Sequence, residues 1–262
     1  MKKFLLALTA AVAMTGTASA ADLAARPYVK APAPTPVANW TGFYIFGGGG
    51  GGLSNADQHV QDTLTGTPLT IDQRQGGSGW FGTVGLGYDW QFNTTWVAGV
   101  FADGQFGSIR ATIQDPIAAG GLTGSQKLED SWAAGIRLGW LVAPNVLSYV
   151  NGGYSGAHFG STNFSNLAGV PAGIHLNGYN RNGWFVGGGV ENSLNFFGIT
   201  SPGWFMKTEY RSAFYNAKTS NELFDGTNVA VGRDIRANSW NQTISTSLVY
   251  RFNWTGPVVA KY

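Results

Sequence analysis

From residue 240 to residue 253 apolar and polar positions alternate almost without interruption. Trp240, Gln242, Ile244, Thr246, Leu248, Tyr250 and Phe252 fall on one face, and Asn241, Thr243, Ser245, Ser247, Val249, Arg251 and Asn253 on the other. Alternation with period two is the pattern of a β-strand whose faces meet different environments. Strands of soluble domains are usually about five or six residues long, and this one is far longer. Two readings follow from it alone: a long edge strand of a soluble β-sandwich, or a strand crossing an outer membrane between lipid and a polar interior.

The pattern recurs along the chain. Strands are predicted over 40–50, 79–92, 95–107, 129–141, 146–159, 183–195, 203–215 and 239–253. Their connections alternate in length: Asn93-Thr94, 142–145 and 196–202 are short, whereas 51–78, 108–128, 160–182 and 216–238 are long and rich in Gly, Ser, Thr and Asn. Short turns on one side and long loops on the other, with an even strand number, are the asymmetry of outer-membrane barrels. Closing the sheet removes edges whose backbone groups lipid cannot satisfy. The expected fold is all-β, an eight-stranded antiparallel up-and-down transmembrane β-barrel over residues 40–254, with four long outer loops and a periplasmic tail at 255–262.

Aromatic spacing separates the two readings. Trp80 and Trp90, Trp204 and Phe214, and Trp240 and Tyr250 each stand ten residues apart on one face. At roughly 3.4 Å per residue and a tilt near 40°, that spacing covers about 26 Å along the membrane normal. The apolar band of such barrels is about 25 Å tall and is bounded by aromatic girdles. Trp132, Trp140 and Trp184 complete the expected girdles. A sandwich gives no reason for paired aromatics at that separation on three strands.

The opposite parity carries Asp89, Asp103, Arg137, Glu191, Lys207, Glu209, Arg211 and Arg251, four acidic and four basic residues. The interior of an eight-stranded barrel is just wide enough for its own side chains, and charges confined there must pair to offset desolvation. The expectation is a salt-bridged plug in place of an open, ion-selective pore. If the 196–202 turn sets the register, Glu191 lies beside Glu209, with Lys207 and Arg211 above and below.

Composition sharpens this picture. Lys2 and Lys3, the apolar stretch 4–14 and Ala18-Ser19-Ala20 predict a cleaved signal peptide over 1–20, and the apolar stretch is too short for a membrane helix. Residues 21–39, with Pro27, Pro32, Pro34 and Pro36, read as an extended periplasmic segment. No later stretch offers eighteen consecutive apolar residues, which argues against a helical membrane protein. Charged residues make up only 11%, which is low for a soluble domain. With no Cys there is no disulfide framework and no thiol nucleophile, and a net charge of +2 does not point to nucleic acid.

Candidate chemistry is sparse. The glycine run 47–52 lacks the Gly-Lys-Ser/Thr ending and helix pattern of a phosphate loop, and reads as close strand packing or as an exit to the first loop. His59, His158 and His175 share no metal-ligand spacing, and His158 with Ser155 or Ser161 is a weak nucleophile–base set. No catalytic residue, cofactor or metal is expected.

The residues also carry a family resemblance. Asn39-Trp40-Thr41-Gly42-Phe43-Tyr44 after the Pro-rich segment, and Tyr250-Arg251-Phe252-Asn253-Trp254 before Gly256-Pro257-Val258-Val259-Ala260-Lys261-Tyr262, resemble the small outer-membrane immunogenic proteins of alphaproteobacteria. Gly187-Gly188-Gly189-Val190-Glu191 and Lys207-Thr208-Glu209-Tyr210-Arg211 are similar to that family too. The resemblance implies a barrel related to the OmpA-type transmembrane domain. It also implies insertion by the barrel-assembly machinery, which reads the last strand and its terminal Phe252, and a role as an abundant surface antigen without enzymatic activity. Ser247, where the family usually has Gly, and Phe101, where an inward Glu is common, depart from the pattern. The expectation is a non-enzymatic barrel of the cell outer membrane supporting the envelope. The alternative is a small porin-like diffusion channel, and a third class is a lipid-modifying enzyme. Expected partners are outer-membrane lipid, lipopolysaccharide and the assembly machinery, with the loop ligand left open.

Overall fold

A computed structural model of the protein describes residues 39–199 and 202–252. The expected signal peptide, nearly all of the Pro-rich segment and the C-terminal tail lie outside the described residues. The described chain forms ten antiparallel strands: β1 (Gly42–Asp62), β2 (Gln73–Gln91), β3 (Trp96–Asp115), β4 (Leu122–Ala143), β5 (Val146–Phe159), β6 (Thr162–Asn166), β7 (Pro171–Leu176), β8 (Tyr179–Ser193), β9 (Trp204–Phe224) and β10 (Ala230–Arg251). Eight of them close a ring in the order β1-β2-β3-β4-β5-β8-β9-β10, with β10 paired back to β1.

The two additional strands correct the eight-strand expectation. They form a hairpin inside the predicted 160–182 loop, and β6 pairs with β4 while β7 pairs with β9. The hairpin takes a place between β4 and β9 beyond the ends of the shorter β5 and β8. Three of the other expected long loops are also largely strand. β1 runs on to Asp62, β3 to Asp115 and β9 to Phe224, leaving outer connections at 63–72, 116–121 and 225–229. The glycine and polar residues that read as loop are accommodated because these extensions pair mainly with one another. An example is the β1–β10 register from Gln58↔Ala237 to Asp62↔Arg233.

The outward expansion encloses a second core. Val60, Ile113, Leu122, Phe164, Leu176 and Ile235 pack together above the ring, apart from the larger cluster built around Tyr44, Phe46, Phe101, Phe185 and Phe205. Alternation with its short period explains both: inward residues fill the lumen while Trp80, Val84, Leu86 and Trp90 stand exposed outside.

The glycine run sits in the middle of β1, not at its exit. Gly48 and Gly50 face inward, where a Cβ would collide with the backbone of β10 at Thr246–Ser247 and Ile244–Ser245. Outward Gly47 has open space, its nearest atoms 3.9 Å away. Close backbone approach is what only glycine permits there.

Candidate functional site

Sequence parity placed eight charged residues inside, and the structure brings all eight into ion pairs in two groups. In the first, Arg137 from β4 donates Nε to Asp89 Oδ1 at 2.8 Å and Nη1 to Glu191 Oε2 at 3.1 Å, while its Nη2 pairs with Asp89 Oδ2. Arg251 from β10 donates Nε to Glu191 at 2.8 Å, and its Nη2 lies 2.8 Å from Asp89 Oδ2. Two guanidinium groups thus hold two carboxylates, the four residues coming from four strands. In the second group Arg211 forks onto Asp103 with bonds of 2.9 and 2.7 Å and reaches Glu209 at 2.7 Å, and Lys207 lies 3.6 Å from Glu209. Planar guanidinium forks suit such paired recognition of carboxylates.

Aromatic rings line the cations. Arg137 lies 4.4 Å from the Tyr44 centroid and 5.2 Å from that of Tyr149, Arg211 lies 4.6 Å from Phe185, and Lys207 Nζ lies 3.4 Å from Phe46. Tyr149 also donates its hydroxyl to Glu209 at 2.9 Å. These rings supply ring-face attraction and exclude water at once. Tyr149 and Phe185 carry no sequence signal of their own and Tyr44 only its place in the family motif, but all three share the inward parity of their strands, and that parity is the feature that marks them. Phe101, in place of an acid, packs against Phe185 with centroids 6.0 Å apart.

The sixth-to-seventh register expected from the turn is corrected. Glu191 stands opposite Lys207, and Glu209 stands opposite Gly189. The connection opens with a 3-10 turn, Leu194–Phe197, capped by the Ser193 side chain and ended by Gly198 in the left-handed region, and the pairing beyond it stands two residues from the expected one. Glu191 is thereby freed to take Arg137 and Arg251.

The aromatic residues expected in girdles are all on the outer face. Trp80, Trp90, Trp132, Trp140, Trp184, Trp204 and Trp240 are exposed, and Phe214 and Tyr250 half-buried. Trp184, Phe214 and Trp240 stack in a row, with centroids 4.4 and 5.7 Å apart. Phe252 is exposed beside Phe43, whose carbonyl accepts its N–H at 2.9 Å.

The histidine sets do not assemble. His158 faces Asn180 at 2.7 Å, whereas Ser155 points inward, donating to Trp132 O at 2.9 Å with the Tyr215 hydroxyl 3.0 Å away. His59 and His175 pair separately with Asp72 and Asp225. Among the described residues no group of three or more acidic or imidazole side chains could hold a metal.

A further buried cluster lies in the outer extension, where sequence periodicity had assigned loops. Arg233 donates Nε to Asp115 Oδ2 at 2.7 Å and Nη2 to Glu222 Oε2 at 3.4 Å, and both carboxylates are fully buried. One cation faces two acids, so burial first, and the neighbouring Asp115 second, push the Glu222 carboxyl from its ordinary 4.5 up to about 8. A raised acid binds its proton more tightly in the folded chain, so this contribution is complete below pH 4.5 and is lost as pH rises through about 8. Protease susceptibility of the outer connections is therefore expected to rise across that window in the wild type and to stay flat in Glu222→Gln. An identical rise in the variant would refute the assignment.

No protein-family model matches the chain. It is 28% identical over 221 residues to the 31 kDa outer-membrane immunogenic protein of Brucella melitensis biotype 1, covering 80% of this chain and 85% of the relative. The same figures hold for the protein of that description from Brucella suis biovar 1. The chain is related to these outer-membrane immunogenic proteins. It is an outer-membrane protein, as the alternation and the resemblance indicated. The crystal structure of the outer membrane protein OprG from Pseudomonas aeruginosa shares the fold, with a TM-score of 0.51 at 11% identity, covering 82% of this chain and 98% of that one.

Proposed function

We propose that the eight ring strands span the outer membrane as a non-enzymatic barrel whose interior is closed, and that the outer extension presents the surface loops. The observation that carries this reading is the pairing of every charge expected inside, Asp89, Asp103, Arg137, Glu191, Lys207, Glu209, Arg211 and Arg251. The cavity beside Arg211, bounded by Gln105, Ser131, Tyr215 and Asn241, holds about 10 Å³, the lower limit for one water. Lumen charges fully engaged with one another offer no continuous file of water. The exposed tryptophans would sit at the two interfaces and Phe252 would serve recognition by the assembly machinery, with outer-membrane lipid and lipopolysaccharide around the wall.

Folded protein reconstituted in planar bilayers is expected to give no steady single-channel conductance. Large, stable steps from the wild-type chain would establish the diffusion-channel alternative instead.

A further inference from the structure

The ring is not sealed all the way out. The β8–β9 ladder ends at Gly183↔Tyr215, and β9 next finds a partner on that side at His175↔Leu223 of β7. Over 216–222 the β9 strand has no ladder partner toward β8. A bulge accompanies the gap: on β10 Ala237 and Ser239 are two positions apart, whereas their β9 partners Lys218 and Tyr215 are three apart. Bulges of this kind re-aim side chains and end pairing. Lys218 spans the opening, its Nζ 3.4 Å from the Asn180 carbonyl and 5.4 Å from the Tyr179 ring centroid.

Behind the opening lies Arg181, only 4% exposed. Its guanidinium sits 5.2 and 5.0 Å from the Phe159 and Tyr179 ring centroids. No carboxylate pairs with it among the described residues, in contrast to the arginines of the lumen. Its Nη2 donates to the Tyr179 hydroxyl at 2.8 Å, and that hydroxyl donates to Gln126 Oε1 at 2.9 Å. The direction of this chain fixes which end of the Gln126 amide accepts. It leaves Nε and Nη1 of Arg181 and Nε2 of Gln126 buried without acceptors. Every unmet group on this chain is a donor. A buried guanidinium with no counter-charge is strongly unfavourable, and buried unmet donors call for a partner of opposite character.

We propose that Arg181 and Gln126 form a phosphate-binding site entered through the β8–β9 gap, with Lys218 as its second cation. Two cations and an all-donor lining match an oxyanion with several acceptor oxygens. The location selects the source. Arg181 lies three residues beyond Trp184, and Tyr215 one beyond Phe214, so the opening stands roughly 10 Å or less outside the outer aromatic row. If the ring strands span the membrane as proposed above, that is the level of the outer head groups, and a phosphorylated glycolipid could seat its phosphate here with its acyl chains along Trp184 and Phe214.

The test uses the full mature chain in phosphatidylcholine nanodiscs with and without lipid A, followed by detergent extraction and phosphorus analysis, alongside calorimetric titration with inorganic phosphate. Wild type is expected to retain lipid A, with Arg181→Gln weakening retention by about tenfold or more and Lys218→Gln by less, as loss of charge-assisted hydrogen bonds requires. Saturable inorganic phosphate binding that Arg181→Gln abolishes, without lipid A retention, would support the site with free phosphate as its ligand. Equal retention and equal phosphate binding in wild type and both variants would overturn it. Heat-modifiable gel mobility, measured in every sample, reports the barrel separately: insertion without binding defeats the site alone, and failure to insert defeats the membrane-spanning reading. Because Lys218 is exposed, its variant remains informative if Arg181→Gln does not fold.

Discussion

Arg137→Met is expected to destabilise the folded barrel by about 3–5 kcal/mol, the scale set by leaving buried charges without their partner. Arg137 is the hinge of the first ion-pair group: it holds Asp89 on β2 and Glu191 on β8, whose side chains are fully buried. Removing it leaves Arg251 as the one cation of that group against two fully buried acids. Urea titration followed by tryptophan fluorescence in lipid measures the loss. The double substitution Arg137→Met with Asp89→Asn, which leaves Arg251 paired with Glu191, is expected to recover much of it, because the penalty comes from unpaired charge more than from lost attraction. If the single variant unfolds at the wild-type midpoint, the ion pairs are not what closes the lumen.

Gly50→Val is expected to prevent the barrel from closing, whereas Gly47→Val, three residues away, is expected to leave it nearly intact. Both residues belong to one glycine run on β1, yet their surroundings are opposite. A Cβ at Gly50 would run into the Ile244 carbonyl and Ser245 Cα on β10, neither of which is the end of a flexible side chain. At Gly47 the nearest atoms are 3.9 Å away, and a β-branched side chain there adds apolar surface on the outer face. Overpacking usually costs about 1–3 kcal/mol, and a backbone collision within the closing ladder lies at or above the top of that range. Heat-modifiable mobility after refolding reads the difference, with the folded band lost for Gly50→Val and kept for Gly47→Val. Similar refolding yields would mean that β1 and β10 approach less closely than the ladder shows.

The alternation of residues was enough to establish the all-β class, the inward and outward parity, and the positions of the eight ring strands to within their inner ends. Parity is local: successive side chains on an extended backbone must point to opposite faces, whatever the strand pairs with. It therefore placed Asp89, Arg137, Glu191 and Arg251 in the lumen and Trp80, Trp90 and Trp240 outside. Composition alone could not show how far the strands reach. Outer segments such as 51–62 and 108–115 carry mostly polar side chains on their outward parity, so the outward apolar run ends although their backbone still pairs.

Tertiary structure decided the rest. Which acid meets which base depends on register, and the β8–β9 ladder sets Glu191 opposite Lys207, where Arg137 and Arg251 reach it. Asp115, Glu222 and Arg233 lie on three different strands, and nothing in their separate surroundings along the chain couples them. Arg181 looks from sequence like any polar strand residue. Only the gap left by β9, the rings of Phe159 and Tyr179, and the lack of a carboxylate pairing with it among the described residues make it a buried cation in want of an anion. Local alternation is encoded residue by residue, whereas pairing between distant strands is set by turns, bulges and closure, and those are properties of the assembled ring.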